Sequence, residues 1–226
     1  MARRRLRKHL QDFEEKLYIQ GPFFACMIKW ILFDLGNVIV KHVLEGKKDY
    51  AYNGRILPGP EIESVYSLAE FKKFSMGELT ESEFVQKFLE TSNLKLSISE
   101  FLEVYTQDIT PIRGMKELLE DLSPKYSLAI LTNEGKEWAD RKIDHQKIRH
   151  LFKKIIISAD LHELKSSQKF YLKSLNMLDA KPEECLFIDD REKNCRAAEI
   201  LGINTIPFFD SGRLKKELAS FSITLD

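Results

Sequence analysis

The chain has 226 residues, 43% of them hydrophobic and 31% charged, with 35 basic and 35 acidic side chains and a formal net charge of zero. That balance argues against a nucleic-acid binder or a protein held to an anionic membrane, and the length suits one domain with an insertion. Three cysteines, Cys26, Cys185 and Cys195, lack CxxC spacing, which argues against a disulfide framework or a zinc site and fits a reducing cytoplasm.

The first 26 residues, "MARRRLRKHLQDFEEKLYIQGPFFAC", open on a basic cluster, and Leu6, Leu10, Phe13 and Leu17 recur at helical spacing. Asp12, Glu14 and Glu15 count against a transit peptide, and no apolar signal core follows the arginines. Residues 1–26 read as an N-terminal extension, helical or disordered; a translation start at Met27 is the other reading. No run in the chain is long and apolar enough to span a bilayer.

Residues 31–40, "ILFDLGNVIV", carry three apolar residues into a single aspartate, Asp34, and then break at Gly36-Asn37. Short apolar, β-branched runs recur at 28–33, 127–131, 155–158, 185–188 and 204–208, with helical segments between the later ones. Such alternation predicts an α/β fold with a doubly wound parallel, Rossmann-like sheet, built from residues 27–40 and 111–226. Residues 41–110 interrupt it and read as helices, an inserted α-helical cap. There Ile62, Val65, Tyr66 and Ala69 share a face, and Thr80 with Glu83 and Ser97 with Glu100 match capping boxes. Later, Cys195, Ala198 and Leu201 share a helical face that Gly202 is placed to end.

Ligands of an open parallel sheet bind at the carboxyl ends of its strands. Those ends carry Asp34, Thr132-Asn133 and Asp189-Asp190, with Asn194 after the last and Lys165 soon after the third run. Alone, each has an ordinary structural reading: a helix cap, or a solvated loop lysine. Together, three carboxylates at one sheet edge call for a cation, because like charges so close raise one another's pKa. A hard ion with oxygen ligands, Mg²⁺ above all, answers that, and Lys165 adds a further positive charge. The site is then neutral and able to take an anion, with donors for a phosphate from the helix start after Thr132-Asn133. Phosphoryl transfer from an aspartate nucleophile is the chemistry this points to.

In order, "ILFDLGNVIV", "LAILTN", "SADLHELKSSQKFY" and "CLFIDDREKN" resemble the four motifs of the haloacid dehalogenase superfamily, with motif four in its double-aspartate form. The resemblance covers residues of about 28–210, and the insert resembles the cap of its small-molecule phosphatases. It implies Asp34 as nucleophile, Thr132 and Asn133 as holders of the phosphoryl oxygens, and Lys165 as partner of Asp34 and the phosphate. Asp34, Asp189, Asp190 and the carbonyl of Gly36 would bind Mg²⁺, with Asn194 in support. Motif three would comprise Ser158, Lys165 and Tyr171.

Four positions depart from the family pattern. Most relatives carry a second aspartate, the general acid/base, at the position of Gly36. Ser166-Ser167 stands where relatives have proline and an acidic residue, and His162 where many have glycine. The expected function is a Mg²⁺-dependent phosphatase of a small phosphorylated metabolite, sugar phosphates included. The alternative is a catalytically poor relative that binds a phosphorylated ligand or a protein partner. A metal-independent dehalogenase is a third option, which the double aspartate opposes. With Gly36 in place, the chain should favour esters of low leaving-group pKa unless His162, a water or the substrate supplies the proton.

Overall fold

The computed structural model describes residues 27–225. Residues 1–26, with both readings of them, lie outside the described residues.

β1 (Trp30–Phe33) is a short run of buried apolar residues. A tight loop follows it, in which Asn37 holds φ at 54° and its N–H donates to the Val40 carbonyl at 2.7 Å. Next comes an antiparallel hairpin, β2 (Asp49–Tyr52) and β3 (Arg55–Pro58). It corrects the all-helical reading of residues 41–110. Asn53 and Gly54 both take positive φ, 47° and 73°, as a type I′ turn requires, and Tyr50 and Tyr52 alternate inward.

Helices then take over: α1 (Gly59–Glu63), a 3₁₀ turn (Ser64–Ser67), α2 (Ala69–Ser75), α3 (Glu81–Thr91) and α4 (Ile98–Gln107). The single face read through Ile62, Val65, Tyr66 and Ala69 is therefore divided. The Ser64 hydroxyl donates to the Glu61 carbonyl at 2.6 Å, which competes with the helical ladder, and Leu68 is extended. Both capping boxes form, at Thr80 with Glu83 and at Ser97 with Glu100.

The chain continues through α5 (Met115–Leu122), β4 (Ser127–Thr132), α6 (Lys136–His145) and β5 (Lys154–Ile157). It then passes through the short α7 (Ser158–Leu161), α8 (Gln168–Leu178) and β6 (Cys185–Asp189). It ends in α9 (Glu192–Glu199), β7 (Asn204–Pro207) and α10 (Ser211–Ser220). Ser158 begins a helix rather than ending a strand; its hydroxyl accepts from the Glu134 N–H at 2.9 Å and donates to the Ser75 carbonyl at 2.6 Å. Ser167 caps α8 by accepting from the Lys169 N–H, so one departure in motif three has a local structural use.

The strand order is β5-β4-β1-β6-β7, every neighbouring pair parallel. Alternate residues serve two cores: Ile31, Phe33, Leu186 and Ile188 on one face, Leu32, Leu131 and Phe187 on the other. The chain leaves β1 toward β4 but leaves β6 toward β7. Strand order therefore reverses between β1 and β6, which opens a crevice beyond their carboxyl ends.

The first core runs without a break into the inserted helices. Phe74 of α2 stacks on Phe84 of α3 at 4.8 Å, and Trp138 of α6 meets both edge-on at 5.2 and 5.5 Å. The Phe74 ring fills the space a side chain would need at Gly135, where a Cβ would lie 2.0 Å from it. With Phe84 and Trp138 behind it, the ring has no room to retreat. Gly135→Ala should therefore cost about 1–3 kcal/mol, as overpacking a filled core does. That corresponds to roughly 2–12 °C of melting temperature in a domain of this size, measurable by thermal unfolding.

Candidate active site

The crevice collects the residues picked out at the strand ends. Asp34 directly follows β1, Thr132 is the last residue of β4, and Asp189 the last of β6. Lys165 arrives from the loop before α8 and is almost wholly buried, with 1% of its surface exposed. Its Nζ lies 2.7 Å from Asp34 Oδ1 and 2.7 Å from Asp189 Oδ2. Its backbone N–H donates to Asn133 Oδ1 at 2.8 Å, which fastens the lysine loop to the end of β4. One carboxylate oxygen from each of Asp34, Asp189 and Asp190 lies within 4.8 Å of the other two.

This crowding has electrostatic consequences. Burial raises the pKa of Asp34, Lys165 opposes that, and Asp189 and Asp190 push upward again; the net effect is a pKa of about 7. Burial pushes Lys165 down, but the charges of Asp34 and Asp189 outweigh it and hold the ammonium above its ordinary value.

The three carboxylates differ in how fully they are occupied. Asp189 Oδ1 accepts from the Arg191 N–H at 2.8 Å and from Asn194 Nδ2 at 2.9 Å. Its Oδ2 accepts from Lys165 and, at 3.1 Å, from Asn194 Nδ2. Among the described residues, the polar contacts of the Asp34 side chain fall on Oδ1, from Lys165 and from the Leu35 N–H at 2.7 Å. Asp190, partly exposed, has one long side-chain contact among the described residues, from Asn37 Nδ2 at 3.4 Å. The buried Asn194 Oδ1 has no partner among the described residues.

The donor set fits a hard divalent cation. It offers oxygen alone, and three negative charges face a single buried ammonium. Gly36 presents no side chain to the crevice, and a Cβ there would meet nothing within 4 Å. Tyr171, buried in α8, donates its hydroxyl to the Asn194 carbonyl at 2.9 Å and so supports the far wall.

A cavity of about 490 Å³ opens over these groups. It also reaches residues outside the sequence motifs: His42, Glu45, Tyr66, Glu134 and Lys142. Glu134 and Lys142 form a buried ion pair at 2.6 Å. Glu134 lies in the bend before α6 and Lys142 within it, so no single periodic segment pairs them. His42 and Glu45, three apart in an irregular loop, likewise carry no periodic signal. His162, in contrast, is exposed, and its Nδ1 lies 2.7 Å from the Met76 carbonyl, away from the cavity lining.

Flavin mononucleotide hydrolase 1 of Arabidopsis thaliana, chloroplastic by its name, is 25% identical to the chain over 154 residues, 68% of this chain and 62% of that relative. This chain thus spans less than two thirds of that relative's length. A haloacid dehalogenase-family enzyme of Bacteroides thetaiotaomicron, in complex with magnesium and inorganic phosphate, matches with a TM-score of 0.66 at 20% identity, over 83% of this chain and 98% of that one. A family hydrolase of Porphyromonas gingivalis gives 0.66 at 20% identity, over 88% and 99%. The L-2-haloacid dehalogenase of Xanthobacter autotrophicus, with chloropropionic acid covalently bound, gives 0.60 at 20% identity, over 88% and 85%. At such identities these structures share the fold with this chain. The family described as haloacid dehalogenase-like hydrolase matches residues 31–208, a span that holds all four motifs and the whole acidic crevice. With most of its length matched in this way, the chain belongs to the haloacid dehalogenase-like hydrolase family.

Proposed function

We propose that the chain is a Mg²⁺-dependent phosphoric monoester hydrolase of a small phosphorylated metabolite, acting through an aspartyl-phosphate on Asp34. The observation that carries this reading is the set of three carboxylates, one oxygen of each within 4.8 Å of the others, set against one buried ammonium at the sheet's carboxyl edge. A relative named for flavin mononucleotide hydrolysis and a related fold crystallised with magnesium and phosphate support it.

In this reading the Asp34 carboxylate attacks phosphorus. The bond from phosphorus to the alcohol oxygen breaks, and its electron pair leaves on that oxygen. Lys165 and the Leu35 N–H hold Oδ1 in place. Thr132 and the Asn133 amide, whose Oδ1 is already engaged, offer donors to the phosphoryl oxygens together with Lys165. Water then attacks phosphorus and restores the carboxylate. Asp34, the Gly36 carbonyl and Asp190 would hold Mg²⁺. Asp189, with both oxygens already accepting, completes the acidic set and anchors Lys165 and Asn194. Bound there, the ion would neutralise charge on the carboxylates and the phosphoryl group.

Residues 41–110 are assigned the role of a cap that selects the substrate, since Tyr66, Phe71 and Lys72 line the same cavity as the carboxylates. Cys195 is a free, buried thiol, which supports a reducing compartment such as the cytoplasm. No helix among the described residues is long and apolar enough to cross a membrane.

A screen of phosphorylated metabolites with Mg²⁺, read as released phosphate, tests the reading. Chelation should stop turnover and excess Mg²⁺ should restore it. Full turnover in chelator would sink the mechanism.

A further inference from the structure

Gly36 leaves the departing alcohol with no proton donor at the position where most of the superfamily carries an aspartate. His162 does not replace it, being exposed and bonded to the Met76 carbonyl. His42 is placed differently. It lines the same cavity as Asp34, Gly36 and Lys165. Its backbone N–H donates to Asn37 Oδ1 at 3.0 Å, and Asn37 Nδ2 reaches Asp190 Oδ2 at 3.4 Å. One side chain therefore ties the His42 main chain to the acidic cluster.

The ring is fixed as well. Nδ1 lies 3.1 Å from Glu45 Oε2, and Tyr66 packs edge-on at 6.2 Å. A carboxylate at Nδ1 holds the proton there in the neutral ring, stabilises the imidazolium, and leaves Nε2 as the nitrogen that exchanges a proton.

We propose that His42, held by Glu45, is the general acid and base of this chain, supplying from the cavity wall the proton that position 36 cannot. The proposal rests on the phosphoric monoester reading above. As the ester bond breaks, the His42 Nε2 proton passes to the departing oxygen, so the alcohol leaves neutral and the imidazole is left neutral. In the second half, that imidazole takes a proton from the attacking water. Inorganic phosphate, the Asp34 carboxylate and the imidazolium are then restored, and charge balances in both halves. Burial, Lys142 and Arg191 disfavour the imidazolium, whereas Glu45 and Asp190 favour it; the balance holds the His42 pKa below its ordinary value.

The test is kcat/KM for the Mg²⁺-loaded full chain on monoesters from aryl to alkyl phosphates, in the wild type and in His42→Gln, Glu45→Gln and His162→Gln. The wild type should depend only weakly on leaving-group pKa. His42→Gln should lose ~10²-fold or more on alkyl phosphates and under ~3-fold on an aryl phosphate, within the usual contribution of general acid–base catalysis. Glu45→Gln should show the same pattern at smaller size, and His162→Gln should match the wild type. A steep wild-type slope, or equal losses on both ester classes in His42→Gln, would overturn the assignment. The wild-type slope decides even if a variant fails to fold. A wild type that releases no phosphate from any ester would overturn the phosphatase reading and this proposal together. Turnover with an unchanged slope in folded His42→Gln would overturn this proposal alone.

Discussion

Asp34→Asn should lose turnover on the order of 10⁶-fold, as removal of a covalent nucleophile does elsewhere, and fall to the buffer background of phosphate release. The fold should survive. Asparagine keeps the size and an Oδ1 that can still accept from Lys165 and the Leu35 N–H. Beryllium fluoride, which mimics a phosphoryl group on a carboxylate, should form an adduct with the wild type and none with the variant. A variant that kept its rate would place the nucleophile elsewhere.

The same substitution should change how stability depends on pH. An unfolded Asp34 titrates near 3.8, and the folded one at about 7. Between those values the folded state binds more protons than the unfolded state. The contribution of Asp34 to stability is therefore fully present below about 3.8 and is lost as pH rises through about 7. In chelator, the wild-type melting temperature should fall across that window, and added Mg²⁺ should oppose the fall. Asp34→Asn should flatten the dependence and melt higher than the wild type above pH 7 without metal. Superimposable pH profiles for the two proteins would mean that the charges of the cluster do not strain the fold.

The chemistry-bearing strand ends were legible because each apolar run stops abruptly at a polar residue. Asp34 follows β1, and Thr132 and Asp189 are the last residues of β4 and β6. Both capping boxes were legible for a similar reason, since the motif is local in sequence. The hairpin at Asn53-Gly54 had a local signal too, an Asn-Gly pair following two tyrosines in alternation, Tyr50 and Tyr52, but the helical periodicity around it outweighs that signal. The cavity walls were not legible. Glu134 meets Lys142, and His42 comes to the acidic cluster, only because packing places α6 and the loop after β1 around one cavity. Phe74, Phe84 and Trp138 build that packing from three separate helices, and no spacing within one segment encodes it.

Lys165→Met should have the second large effect, and its pH signature separates charge from packing. Methionine keeps the length and much of the volume of the stem but removes the charge. Asp34 and Asp189 would then stay buried with no cation, apart from any bound metal. Removing one partner of a buried ion pair costs about 3–5 kcal/mol, because the charge left behind is neither solvated nor compensated. That cost applies only while the carboxylates are ionised. Asp34 already binds its proton far more tightly than a free carboxylate, and without Lys165 it should do so more tightly still. The metal-free variant should therefore approach wild-type stability near pH 5 and fall well below it at pH 8. Mg²⁺ should recover part of the loss. Turnover should drop by about 10²–10³-fold even at saturating metal, the usual cost of losing one positioned charge donor to the transition state. If the destabilisation were equal at pH 5 and pH 8, Lys165 would serve the fold by filling space, not by balancing the three carboxylates.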